Sequence, residues 1–170
     1  MRFIPIIFFL ILFSSCGKKP ETLYDEAKKA QEEKNFPVAL ERYNEIIEKN
    51  TGSALAESSL YRLALLYNND LHDMEKSLRA YQRYYELFPE SKGAPTAMFL
   101  SAFLLNNDLH KLDSAKILYE TFIQKYPNHE LVPSARFELE TMGKDPGIVF
   151  KHDSTLNEQE KPMPAQGKPK

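Results

Sequence analysis

Two histidines stand 38 positions apart in the same company: Asn68-Asn69-Asp70-Leu71-His72 returns unchanged as Asn106-Asn107-Asp108-Leu109-His110. Imidazoles beside carboxylates are the residue types that hold a divalent metal. Here each histidine closes an Asn- and Asp-rich string of the kind that turns the chain, and a fixed offset between such strings is explained more simply by an internal repeat. Carboxylates such as Glu32-Glu33 and Glu57 lie among lysines and arginines on what read as polar helix faces. There they are solvated rather than paired for proton transfer. The chain has no Gly-rich phosphate loop and no GxSxG, HExxH or CxxC string, the patterns that would seat a phosphate, a nucleophile or a metal. Cys16 is the single cysteine, so no disulfide forms within the chain. These residues point to no catalytic, cofactor-binding or metal-ligating set, and the chain reads as a binding protein rather than an enzyme.

The elements that carry these strings repeat as well. Phe88-Pro89 returns as Tyr126-Pro127 and Ala94-Pro95 as Val132-Pro133, each again 38 positions on. Leu60, Leu63, Ala64 and Tyr67 fall at i, i+3, i+4 and i+7, one stripe of a helix. A turn is expected over residues 68–72, with Asp73 as N-cap of a second helix that carries Ser77, Leu78, Tyr81, Tyr84, Tyr85 and Phe88. Pro89 stops it, and Pro95 suits the first turn of the next helix. The following unit repeats the plan with Met98, Ser101, Ala102 and Leu105, then Ala115, Leu118, Tyr119, Phe122 and Tyr126 before Pro127. A more diverged unit precedes them. Leu23, Ala27 and Ala30 mark its first helix and Asn35 caps the second, which holds Ala39, Leu40, Tyr43, Ile46 and Ile47. Residues 130–142 read as a last first-helix acting as a cap, with Arg136, Glu138 and Glu140 on its outer side.

This spacing resembles the tetratricopeptide repeat family. Leu60, Leu63, Ala64 and Tyr67 stand at the signature positions of the first helix, and Ser77, Tyr81 and Pro89 at those of the second helix and its stop. Met98, Ala102, Ala115, Tyr119 and Pro127 match in the next unit. The resemblance implies an all-α fold, a right-handed α-solenoid of about three helix-turn-helix repeats plus a capping helix. Repeats are placed at residues 21–52, 53–90 and 91–128, with the cap at 130–142 and the whole domain at 21–142. Ala27, Ala64 and Ala102 would lie where the helices of a unit approach most closely. A unit longer than the usual 34 residues is similar to the periplasmic lipoproteins of this family, the BamD-like and Tol-Pal-associated cell-division coordinator repeat domains.

The amino end sets where such a solenoid sits. Met1-Arg2 precedes an apolar run from Phe3 to Phe13, too short for a hydrocarbon core that takes about 20 residues. A positive start, a short apolar stretch and small residues describe a signal peptide over residues 1–15. Phe13-Ser14-Ser15-Cys16 resembles a bacterial lipobox, with Phe13 where the family usually has Leu. That resemblance implies lipidation of Cys16 by diacylglycerol and fatty acyl (palmitate-type) chains, and Gly17 in the next place leans toward the outer membrane facing the periplasm. Residues 16–20 are then a lipidated linker. Net charge is −2, which argues against nucleic acid. Residues 143–170 carry Pro146, Pro162, Pro164 and Pro169 with few apolar side chains, the composition of a disordered tail. Ile148-Val149-Phe150 is its one apolar patch, expected to dock on the last helix or, alternatively, to serve as a short linear motif.

In tetratricopeptide arrays the first helices line a concave groove. One row there reads Tyr24, Tyr61, Phe99, the next Lys28, Leu65, Phe103, and the third Gln31, Asn68, Asn106. Aromatics beside amides suit an extended peptide or a partner helix, although rings at this spacing also serve to pack neighbouring units. The expected role is a membrane-anchored adaptor for another envelope protein, in assembly or division. The alternative is a glycan or peptidoglycan module that stacks sugars on the same rings, against which stands the absence of Trp. Three units and a cap are close to the minimum for stability, so another protein or a second copy would complete the array.

Overall fold

The computed structural model describes residues 18–144. Among them are seven α-helices and no strand: α1 (Pro20–Glu32), α2 (Phe36–Lys49), α3 (Ala54–Leu65), α4 (Met74–Leu87), α5 (Ala94–Phe103), α6 (Leu112–Lys125) and α7 (Val132–Thr141). Each packs on the helix that follows it, and α1 also touches α3. The result is an α-solenoid in which α1, α3, α5 and α7 are first helices and α2, α4 and α6 second helices. Residues 1–17, with the expected signal peptide and Cys16, and residues 145–170, most of the expected tail, lie outside the described residues.

The second helices keep strict register. They open at Phe36, Met74 and Leu112, each 38 after the last, and each is 14 residues long. Tyr43, Tyr81 and Tyr119 therefore take equivalent places, and all three are buried. Burial of such a ring contributes about 1.5–3 kcal/mol. Start and stop chemistry follows the local sequence. Asp73 accepts from the Lys76 amide at 3.0 Å and Ser53 from the Ala56 amide at 3.1 Å, whereas Asn35 holds the N-cap position without a side-chain bond. Prolines occupy the first turns of α1, α2, α5 and α7, where their missing N–H costs nothing. Gly52 turns the chain after α2 at φ 87°, which suits a residue without a Cβ.

The helices of a unit meet at small residues. Ala27 and Ala39, Ala64 and Ser77, and Ala102 and Ala115 are all 0 % exposed. The backbones come close enough for the Ser77 hydroxyl to donate to the Ala64 carbonyl at 3.0 Å. A larger side chain at any of these positions would overpack the contact at about 1–3 kcal/mol.

Two features depart from the sequence reading. The turn expected over residues 68–72 starts later. Leu66–Asp70 and Leu104–Asp108 prolong α3 and α5 as π-helical turns, closed by bonds from the Leu71 amide to the Leu66 carbonyl (3.1 Å) and from Leu109 to Leu104 (2.9 Å). The cause is one extra residue. Ala27 and Ala39 are 12 apart, but Ala64 and Ser77, and Ala102 and Ala115, are 13 apart. A widened turn absorbs the insertion inside the helix. His72 and His110 then leave in the left-handed region at φ 51°, and Lys34 takes the same place in the first unit at φ 58°. The second departure is in α7. Glu138 turns inward instead of outward and accepts from Asn106 Nδ2 at 2.9 Å, because the prolonged α5 carries that amide across to it. Phe137 is left 55 % exposed.

Candidate functional site

The first helices stand side by side without fully closing on one another. Between α1 and α3 lies a hollow of about 340 Å³, lined by Tyr24, Glu57, Tyr61, Arg62, Leu65 and the Tyr84 ring from α4, together with Ser58. Three of these, Tyr24, Tyr61 and Leu65, are groove residues expected from the sequence. A second hollow of about 480 Å³ lies at the far end, where Asn106 and Asn107 face Phe137 and Glu138 of α7.

Each aromatic of the expected row packs against its own second helix. Tyr24 meets Tyr43 edge-on at 6.0 Å, Tyr61 meets Tyr81 at 5.9 Å and Phe99 meets Tyr119 at 5.6 Å. Such contacts contribute about 0.5–1.5 kcal/mol beyond area burial. Tyr24 and Tyr61 stay half-buried and show their edges to the hollow. Phe99 goes further inward, 8 % exposed between Tyr119 and Phe122, and belongs to the core. Its neighbour Phe103, stacked on it at 6.5 Å, carries the accessible surface of that unit at 38 % exposed.

The amide row is unevenly placed. Asn68 is half-buried and donates to Asn69 Oδ1 at 2.8 Å. Asn106 is buried against Glu138. Gln31 reaches Asp70 at 3.4 Å and accepts from the Tyr43 hydroxyl at 3.3 Å, so it ties the first unit to the second. Lys28 is half-buried beside them.

Four residues of the hollow, Glu57, Ser58, Arg62 and Tyr84, were not expected there, and Glu57, read from the sequence as solvated, is half-buried and hydrogen-bonded instead. Arg62 Nε donates to the Tyr24 hydroxyl at 2.9 Å, and its guanidinium lies 5.9 Å from the centre of that ring. Glu57 accepts from the Tyr84 hydroxyl at 2.7 Å and also from the Ser91 hydroxyl. The Tyr24–Arg62 pair carries no repeat signature, because the position of Arg62 is held by Asp25 in the preceding unit and Leu100 in the next. Burial pushes the Tyr84 hydroxyl up to about 12, with Glu57 adding to the shift, and burial likewise pushes Tyr43 up to about 12. These hydroxyls stay protonated and serve as fixed donors. The arrangement presents ring edges, one oriented guanidinium and an aliphatic floor, groups that grip by contact and hydrogen bonding.

Comparison with known proteins agrees with this architecture. The tetratricopeptide repeat model matches residues 58–91 and again residues 96–129. These spans hold most of α3 with α4 and most of α5 with α6. No curated protein matches the chain. Residues 58–91 and 96–129 are thus similar to two tandem tetratricopeptide repeats.

Proposed function

We propose that this chain is a lipid-anchored adaptor of the bacterial envelope that holds a segment of another envelope protein against its first helices. One observation carries the binding half of the proposal: the hollow between α1 and α3, with Tyr24, Tyr61 and Leu65 as apolar walls and Arg62 fixed at its rim. An extended chain or an amphipathic helix finds ring edges there for its side chains, and Asn68 beyond them for its backbone. Tyr61, Leu65, Phe103 and Asn68 are its contact residues. Phe99 and Asn106 support them from behind.

The anchoring half rests on the sequence. The only cysteine follows a short apolar run and the small pair Ser14-Ser15, at the place where lipoprotein processing attaches its acyl chains. One acyl chain binds a membrane weakly, and two or more give a stable tether. Units of 38 residues support kinship with the periplasmic lipoproteins of the repeat family. An outer-membrane position facing the periplasm follows from Gly17.

Photo-crosslinking in intact cells tests both halves. A photoreactive residue at Leu65 or Phe103 should capture one and the same envelope protein. The same residue at Ile117, exposed on α6, should not. Equal capture from residue 117 would refute the groove, and loss of binding to purified cell wall in a Tyr61→Ala protein would favour a glycan ligand instead. Cys16→Ser should move the protein from the membrane to the soluble fraction; unchanged membrane association would refute the anchor.

A further inference from the structure

The outer side of α4 differs from that of the other second helices. Their shared register puts Ala80 where α2 has Arg42 and α6 has Leu118. Both of those longer side chains are half-buried over their own units. Ala80 has nothing to lay there, and a hollow of about 260 Å³ opens in the second unit. Its floor is Leu60 and Leu63 of α3 with Ala80, all three buried, and Tyr67 forms a wall.

Cations stand round the rim. Lys76, Arg79 and Arg83 line the hollow at i, i+3 and i+7, one face of a helix. The repeat does not dictate them. The same places hold Val38, Glu41 and Glu45 in α2, and Ser114, Ile117 and Thr121 in α6. Their ties within the chain are loose. Lys76 pairs with Asp73 at 2.6 Å and lies 5.5 Å from the centre of the Tyr67 ring. Arg79 lies 3.7 Å from Glu75, which Lys111 holds more closely at 2.6 Å. Arg83 has no ion-pair partner among the described residues. Exposed pairs of this kind contribute little and exchange readily.

This socket is separate from the groove. Leu60 and Leu63 leave α3 roughly half a turn round from Ser58, Tyr61 and Leu65, and the two hollows share no residue. An apolar floor under a row of cations suits an acidic segment that also offers an aliphatic side chain. An anionic lipid surface fits less well. The floor is recessed below the cations, and the exposed Glu41, at the place of Arg79 on α2, would face the same bilayer. The acidic stripe of a second copy fits less well too. Glu41, Glu45 and Glu48 match the cations in spacing, but no exposed large apolar side chain lies on α2 to enter the hollow.

We infer that the outer side of α4 docks an acidic segment of another protein, with one large aliphatic side chain in the socket that Ala80 leaves open and carboxylates on Lys76, Arg79 and Arg83. The site does not rest on the groove reading. Fluorescence anisotropy with the full chain tests it, using a labelled peptide of glutamates around a single leucine. Arg83→Glu should weaken binding about tenfold, Arg83→Gln should weaken it less, and Arg136→Glu on α7 should leave it unchanged. Ala80→Leu keeps every charge and fills the socket as Leu118 does in the next unit. It should erase the preference for leucine over alanine in the peptide. Equal affinity of the unaltered protein for the leucine and alanine peptides would overturn the inference, as would no binding of either. Phosphatidylglycerol vesicles held as tightly as the peptide, or a dimer that Arg83→Glu dissolves, would overturn it as well.

Discussion

Gly93 and Tyr84 form a matched pair whose energetics can be worked from the structure. In the flanking units the position of Gly93 is Leu55 or Leu131, and that of Tyr84 is Ile46 or Phe122. Only the second unit adds a hydroxyl, and only there is the facing residue glycine. The backbone at Gly93 has φ −83°, open to any residue, so the glycine is required for space alone. A Cβ at residue 93 would overlap the Tyr84 Oη and lie 3.1 Å from its Cζ. The ring cannot give way freely, because its hydroxyl is bonded to Glu57 at 2.7 Å and lies 2.9 Å from Ser91 Oγ. Gly93→Ala therefore overpacks the contact, at about 1–3 kcal/mol, and pulls the hydroxyl from a carboxylate, at about 1.5–3 kcal/mol. The expected total is about 3 kcal/mol. Tyr84→Phe alone should lose about 1.5 kcal/mol, since Ser91 still serves Glu57. With both changes the overlap is gone, and the double variant should fall within about 1 kcal/mol of Tyr84→Phe, a coupling of about 2 kcal/mol. Urea unfolding followed by far-UV circular dichroism measures all four proteins. Additive losses, within about 0.3 kcal/mol, would refute a direct contact between the two positions.

Two further outcomes follow from the buried tyrosines. Tyr119 is 0 % exposed and its hydroxyl has no partner among the described residues, so Tyr119→Phe should gain about 1 kcal/mol. Tyr43→Phe, which breaks the bond to Gln31, should lose stability, and the two urea midpoints moving in the same direction would count against the hydroxyl accounting. Burial pushes Tyr43 and Tyr84 up to about 12 and raises Tyr81 and Tyr119 as well. An unfolded chain gives up phenolic protons near pH 10 while the folded one keeps them. Stability present in full below pH 10 is therefore lost as pH rises from 10 toward 12. Urea midpoints at pH 8 and pH 11 test this, and equal values would contradict the burial of these hydroxyls.

Most of the solenoid was legible because its determinants are local and recur. Pro89 and Pro127 stop helices whatever surrounds them, and Ala64 and Ala102 mark close approach by size alone. The π-helical turns were not legible. A residue inserted into a helix leaves an Asn- and Asp-rich string that reads as a turn, and only the packed positions on either side reveal that the helix continues. The groove was half legible. Tyr24, Tyr61 and Leu65 do line a hollow, since their own helices set their direction. Phe99 does not, because Tyr119 and Phe122 draw it inward, and Glu138 turns in to meet an amide from the preceding unit. The part played by Arg62 was unseen, and Glu57 was misread as solvated, for a related reason. Their partners lie 38 and 27 residues away, beyond any spacing that a single helix encodes.

Adding one residue to a regular helix swings everything downstream through about 100° and would face each buried side chain toward water. The widened turns at Leu66–Asp70 and Leu104–Asp108 confine that rotation to five residues, so α4 and α6 dock as though nothing had been added. Modules of unequal length can thus sit in one stack, with the junction between their two helices as the splice point. Excising Asn69 would shorten the second module to the length of the first and leave its contacts with both neighbours in phase.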